Sequence, residues 1–208
     1  MARRTETRNT RKNYVVLGDG ITEQYYLKHL KELNGYKYVL RPSLFTGITI
    51  ESAENLIDEY VSGGCTQIIY ITDYDTIVSQ RKKEKFEKIK RKYKNQEQVI
   101  ICESMPGIEF WFLLHFLKTS REFRTCNEVM TELIRHIPEY SKKKEYLENK
   151  IWTKMLCSEN RMETAMVNSK DILKEKEKGD KGELFPYSKI HQAIEYFEAQ
   201  KRNKKSRR

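Results

Sequence analysis

The sequence predicts an α/β fold: a mostly parallel four-stranded sheet flanked by helices, followed by a helical C-terminal half. Three observations predict it. Short apolar runs alternate with segments of helical period up to Cys102. The runs are continuously apolar, as strands buried on both faces are. From Gly107 onward the strand signals stop and helical spacing takes over.

Tyr14-Val-Val-Leu17 is the first run, bounded by Gly18-Asp19-Gly20. After Thr22, a fair N-cap, Tyr25, Tyr26, Leu27, Leu30 and Leu33 recur at helical spacing, and Asn34-Gly35 stops the helix. Tyr36 to Leu40 reads as the second strand, ended by Arg41-Pro42. Ser52 to Val61 is a helix with Ala53, Leu56, Ile57, Tyr60 and Val61 on one side. Gln67 to Thr72 is the third strand, Gln80 to Lys94 a charged helix with a thin stripe of Phe86, Ile89 and Tyr93, and Gln98 to Cys102 the fourth strand. Strands separated by helices need crossover connections, hence parallel pairing.

Ile108, Phe110 to Leu114 and Phe116 are apolar almost all round, the pattern of a buried helix. That aromatic run reads as core before it reads as a stacking platform for bases. Further helices are expected over Asn127–Ile137, Lys142–Leu156, Arg161–Lys176 and Ser188–Gln200, with a charged connector over Lys174–Gly182. The expected organisation is a basic arm over 1–12, the α/β domain over 13–120, a helical region over 121–200 packed on the sheet, and a basic tail over 201–208.

The 208-residue chain carries a net charge of +10, all of it at the ends. Residues 1–12 and 201–208 hold eleven basic residues and one acid, while the stretch between balances 29 bases against 29 acids. Such arms give salt-dependent, sequence-independent attraction to nucleic acid, or serve only solubility. No apolar run approaches bilayer-spanning length, and no apolar segment follows the N-terminal bases before Tyr14, so neither a membrane span nor a secretory signal is expected. Cys65, Cys102, Cys126 and Cys157 form no C-x-x-C pair and no disulfide spacing. They read as reduced thiols in a cytoplasmic protein, and no histidine neighbours one in sequence as a catalytic partner would.

The chemistry-bearing residues stand at predicted strand ends. Asp19 follows the first strand, with Glu23 in the first turn of the helix after it. Asp73 and Asp75 follow the third, in Ile71-Thr-Asp73-Tyr-Asp75-Thr76, and Glu103 and Glu109 flank the exit of the fourth. In a parallel sheet these ends share one edge, where ligands bind. Carboxylates gathered there repel one another unless a cation holds them. Two divalent ions in such a cleft can activate water and stabilise the leaving oxygen of a phosphodiester. Each has a structural alternative: a turn for Asp19-Gly20, and a helix-dipole acid for Glu23 and Glu109. His115, inside the apolar helix, reads as a core histidine donating to backbone; His29, His136 and His191 show no ligand spacing. Gly18-Asp-Gly20 lacks the third glycine of a dinucleotide fingerprint, and no Walker lysine motif is present.

The order of these motifs resembles the RloB-like family, also called the AbiLii type, grouped with Toprim-fold proteins related to OLD-type nucleases. Members typically show Glu-Gly-x-Thr-Glu after an apolar strand, and this chain has Asp19-Gly20-Ile21-Thr22-Glu23. An Asp-x-Asp strand end is matched by Asp73-Tyr74-Asp75. The most specific block spans Ser104 to Phe116, with Pro106, Glu109, Trp111 and His115 in place, and Pro186 to His191 echoes a C-terminal segment. The resemblance implies a Toprim/Rossmann-like sheet and a Mg²⁺ or Mn²⁺ site of Asp19, Asp73 and Asp75, with Glu109 as a fourth acid and Glu23 as a substitute where Asp19 is too short. It further implies a nuclease effector of a phage-defence or abortive-infection system, acting on DNA or RNA, including tRNA, with a nearby-encoded OLD/ABC-type ATPase as partner. The alternative is a non-catalytic subunit that docks to and regulates that ATPase. Asp19 stands where the family glutamate is expected, which bears on activity; oligomeric state is left open.

Overall fold

The computed structural model describes residues 13–42 and 47–205, without side-chain detail beyond residue 203. The basic arm over 1–12 and the last residues of the basic tail lie outside the described residues.

Among the described residues five strands form one sheet in the order β2-β1-β3-β4-β5. They are β1 (Tyr14–Gly18), β2 (Val39–Arg41), β3 (Gln67–Asp73), β4 (Val99–Met105) and β5 (Tyr187–Ser188). β1 pairs in parallel with β2 on one side and β3 on the other, and β3 with β4. The apolar runs behave as their composition demands: Ile68 to Ile71 are all essentially inaccessible, as are Val16 and Leu17. From β1 the chain steps outward to β2, then returns past β1 to lay down β3 on its other side. The strand order therefore reverses between β1 and β3, and the crevice at their C-terminal ends is the topological switch point of the sheet.

Helices α1 (Ile21–Asn34) and α2 (Ile50–Ser62) make the first two crossovers. Gly20, not Thr22, is the N-cap of α1, and Gly35 closes it at φ 69°, the left-handed conformation that glycine adopts without penalty. Thr49 caps α2, its hydroxyl accepting the Ser52 N–H at 3.2 Å. The helix expected over Gln80–Lys94 is α4 (Lys83–Tyr93), and a short helix not expected from the sequence, α3 (Tyr74–Ser79), precedes it. Arg81 lies between them at φ 57°, which ends one helix and re-aims the next. The predicted stripe of α4 is buried as expected.

The apolar helix is α5 (Ile108–Leu113), with every residue fully buried. The aromatic run is core: Phe112 packs on Tyr26 and Trp152, and Trp111 donates its indole N–H to the Tyr26 hydroxyl at 2.8 Å. Beyond it come α6 (Cys126–Leu133), α7 (Lys144–Glu148), α8 (Ile151–Leu156), α9 (Arg161–Lys178) and α10 (Ile190–Lys205). The helix expected over Lys142–Leu156 breaks at Asn149, whose side-chain oxygen captures the Ile151 N–H at 3.0 Å. The helical region packs on the rest: α7 and α8 on α1, α10 on β4. α10 continues through residue 205, so the described part of the basic tail is helical.

The sequence predicts four strands, and the structure adds a fifth. β5 is only two residues long and lies antiparallel on β4, pairing Ser104 with Ser188 and Met105 with Tyr187. Too short to show a period, it is held by side chains: the Ser104 and Ser188 hydroxyls lie 2.8 Å apart, and Ser169 donates to the Ser188 carbonyl at 2.6 Å. Among the described residues no helix is long and apolar enough to cross a membrane.

Candidate metal centre

The C-terminal ends of β1, β3 and β4 bring the predicted acids to the switch point. Asp73 is the last residue of β3 and the N-cap position of α3. It makes no cap bond there; instead its Oδ1 accepts the Ile108 N–H at 2.7 Å, tying the end of β3 to the start of α5. Gly107, immediately before, allows this approach. A Cβ at that position would lie 2.6 Å from both Asp73 Oδ2 and Cys126 Sγ.

Glu109, one residue into α5, has no solvent exposure. Its Oε1 accepts the Tyr140 hydroxyl at 3.0 Å and the Lys142 ammonium at 2.8 Å. Its Oε2 is equally buried and has no hydrogen-bond partner among the described residues. A buried, unpaired carboxylate oxygen is costly, so this atom favours any donor or cation that reaches it. Asp75 accepts the Cys126 thiol at 3.1 Å. Asp19 accepts the Thr72 hydroxyl in a short contact and lies 3.5 Å from the Tyr70 hydroxyl. Glu23 is not a solvated helix-dipole acid; it is buried and hydrogen-bonds Asp73.

The electrostatics follow from this crowding. Burial first, then Glu23, pushes Asp19 well above the ordinary carboxylate range. Burial, followed by Glu23, Glu109, Asp19 and Asp75, does the same to Asp73. Burial also raises Glu23, with Glu109 adding to the effect and the Asp73 hydrogen bond opposing it. The Cys126 thiol is raised by burial and then by Asp73, Glu109 and Asp75. Burial of Lys142 favours its neutral form, but Glu109 holds it charged and its pKa lies above that of an ordinary lysine. A divalent ion inverts this logic, because it lets the crowded carboxylates ionise together.

These shifts predict a pH dependence. Asp19, Glu23 and Asp73 keep protons in the fold that the unfolded chain has already released above about pH 4. The folded state binds more protons there, so metal-free stability falls as pH rises from about 4 towards the raised folded values. The half-buried Glu51 and Asp58, both lowered by lysine partners, act in the opposite sense at lower pH, and burial lowers His29, His115 and His191, which oppose the decline up to about pH 6.5, where the unfolded imidazoles lose their protons. Thermal melts in chelator between about pH 6.5 and about pH 8, above the range of the histidines, should show a declining midpoint, and added Mn²⁺ should flatten the decline. A midpoint that climbs across that range without metal would contradict the assignment.

Of the predicted residues, Asp73 is the hub: Glu23, Glu109, Asp19 and Asp75 all act on it. Among the described residues, the potential ligand atoms of Asp73, Glu109 and Cys126 all lie within 4.8 Å of one another. Asp19 and Asp75 are not members of that trio. Glu103 stands apart, taken up by Lys189 at 2.8 Å and Lys90 at 3.5 Å. The histidines have structural contacts, with the buried His115 Nε2 left without a partner among the described residues. His115 Nδ1 meets the Trp111 carbonyl at 3.0 Å, with burial lowering its pKa to about 4. His29 and His191 meet Thr153 and Ser169, and His136 stacks on Phe116. Sequence reasoning did not place Cys126, Tyr140 or Lys142 at this site. Lys142 stood in a lysine run that reads as a solvated helix start, and Cys126 carries no local ligand spacing.

A parallel sheet with an acid cluster at its switch point defines a class: α/β proteins whose ligand site is built from strand-end carboxylates. Within that class, the family described as RloB-like protein matches residues 14–197, and the chain belongs to the RloB-like family. No curated protein and no solved structure matches it.

Proposed function

We propose that this chain is a divalent-metal-dependent nuclease that hydrolyses phosphodiester bonds of DNA or RNA. The observation that carries the reading is the convergence of Asp19, Glu23, Asp73, Asp75 and Glu109 from three strand ends on one crevice. Their mutual repulsion and the unpartnered Glu109 Oε2 fit a site completed by a cation. Asp19, Asp73 and Asp75 are the residues that would hold Mg²⁺ or Mn²⁺, hard ions suited to carboxylate oxygens. A divalent ion held there would supply Lewis-acid chemistry toward a phosphoryl group and would make water a better nucleophile.

The chain's own residues do the rest. Thr72 and the Ile108 N–H fix the orientations of Asp19 and Asp73. Lys142 puts a positive charge at the rim, 41% exposed, where a phosphate oxygen can reach it. The resemblance to Toprim-type nucleases supplies the substrate class, and with it the setting of a phage-defence effector working beside a partner ATPase. The basic ends of the sequence suit a polyanionic substrate. The test is incubation of the protein with mixed DNA and tRNA, with and without Mg²⁺ or Mn²⁺ and the partner ATPase. Metal-dependent products are expected; intact DNA and tRNA in every arm would refute the nuclease.

A second reading rests on Lys142 and Asp19. Lys142 already neutralises Glu109 from within the chain, and Asp19 is one methylene shorter than the residue the resemblance expects. In that reading the chain is a non-catalytic subunit that docks to the ATPase. Thermal shift separates the two. A metal that binds only the folded state at ten times its Kd adds about 1.4 kcal/mol, a midpoint rise of about 3–6 °C in a chain of this size. The nuclease reading expects that rise with millimolar Mg²⁺ or Mn²⁺, and the docking reading expects none.

A further inference from the structure

We infer that Asp73, Glu109 and Cys126 form a second, softer cation position that takes a thiophilic divalent transition ion such as Zn²⁺ or Co²⁺. It rests on the reading of the crevice as a metal centre, shares Asp73 with the hard-ion position, and differs from it by its sulfur donor. Three independent features support it. The potential ligand atoms of the three residues lie within 4.8 Å of one another. Donors around one tetrahedral Zn²⁺ stand about 3.5 Å apart, given bond lengths of about 2.0–2.3 Å, so a small closure suffices. Glu109 offers a buried oxygen, Oε2, that no other described residue engages, while its Oε1 is occupied by Tyr140 and Lys142. Residue 107 is a glycine, and any side chain there would press on both Asp73 Oδ2 and Cys126 Sγ. The backbone of Gly107, with φ −159° and ψ −171°, is extended and imposes no need for glycine, so space is the reason for it.

The donor set decides the ion. One thiolate and two carboxylates are a poor match for Mg²⁺, which prefers six oxygen ligands, and a good match for Zn²⁺ or its spectroscopic substitute Co²⁺. On binding, the Cys126 S–H bond breaks, its electron pair becomes the sulfur–metal bond, and the proton passes to solvent. No oxidant or reductant enters. Cys126 is only partly buried, so an ion can reach it from solvent.

The test is titration of the full chain with Co²⁺. A thiolate-to-cobalt charge-transfer band should appear in the near ultraviolet, saturate at one ion per chain, and bleach when Zn²⁺ displaces Co²⁺. Cys126→Ser should lose the band, whereas Cys65→Ser and Cys157→Ser should keep it. On the wild-type protein itself, Zn²⁺ should protect Cys126 from alkylation, read residue by residue by mass spectrometry. This readout does not depend on any variant folding. Absence of the band in wild type, its survival in Cys126→Ser, or unprotected alkylation of Cys126 would overturn the sulfur-containing position. A Mn²⁺ thermal shift without the cobalt band leaves the nuclease reading intact and removes only this one. A cobalt band without any Mg²⁺ or Mn²⁺ effect does the reverse.

Discussion

Replacing Asp73 with asparagine is expected to reduce metal-dependent cleavage by about 10³-fold or more, while the metal-free fold becomes more stable. Both effects come from the same position. Asp73 is the acid on which Glu23, Glu109, Asp19 and Asp75 all act, so the metal-free fold must hold a proton on it or bear its repulsion, and a neutral amide removes that cost. The amide of the Asp73→Asn variant retains an oxygen in place of Oδ1, so the 2.7 Å bond from the Ile108 N–H survives and the β3–α5 junction stays tied. Relief of about 1 kcal/mol of repulsion corresponds to a midpoint about 2–4 °C higher in chelator. The neutral amide is a far weaker ligand than a carboxylate, so the midpoint rise on adding Mn²⁺ should disappear. Melting curves with and without metal, alongside cleavage assays, check all three outcomes. A variant that cleaves at the wild-type rate would remove Asp73 from the chemistry. One that melts lower in chelator would show that the acids do not strain the fold. An inverse relation of this kind, a local cost in stability retained at a site of chemistry, is what a pre-built cation site requires.

The parts of this architecture that were legible in the sequence depend on short-range pattern. Gln67-Ile-Ile-Tyr-Ile71 is a continuous apolar run, and such a run ending in Asp-x-Asp places two carboxylates at a strand terminus whatever the rest of the chain does. The same holds for Tyr14–Leu17 and Asp19, and for α5, whose apolar residues on every side leave it nowhere to go but the core. The parts that were not legible depend on contacts or on single backbone choices. Asn149 capturing an N–H divides a helix that propensity would run straight through, and Arg81 in the left-handed region sets off α3, a six-residue helix too short to show a period, from α4. β5 exists because β4 has a free edge and Ser188 can meet Ser104, which no two-residue pattern announces. Glu23 followed the ordinary rule for a first-turn acid and yet lies buried against Asp73. Cys126, Tyr140 and Lys142 reach the crevice from beyond α5, so only the folding of the helical half onto the sheet edge brings them there.

Lys142 provides the second large effect. Substitution by methionine keeps much of the aliphatic stem and deletes the ammonium 2.8 Å from Glu109 Oε1. Breaking a fully buried pair costs about 3–5 kcal/mol, because the remaining charge has no partner. Here Glu109 is fully buried but Lys142 is 41% exposed, so solvent screens part of the loss. We expect about 2 kcal/mol of destabilisation in chelator, a midpoint lower by about 4–8 °C. Tyr140 still donates to the same oxygen and prevents a larger loss. With the internal cation gone, an external one should bind more tightly. Neutralising a positive charge within a few ångströms of a divalent site is worth about 1.4 kcal/mol or more at intermediate dielectric, a factor of about ten in Kd. Saturating Mn²⁺ should therefore restore most of the lost stability to Lys142→Met while giving the wild type a smaller rise. If Lys142 also steadies a phosphate oxygen at the rim, the variant binds metal better and cleaves worse. That combination separates a substrate-facing lysine from a purely structural counter-ion. Destabilisation that no divalent ion repairs would mean that Lys142 is the permanent occupant of this site, and would favour the docking subunit over the nuclease.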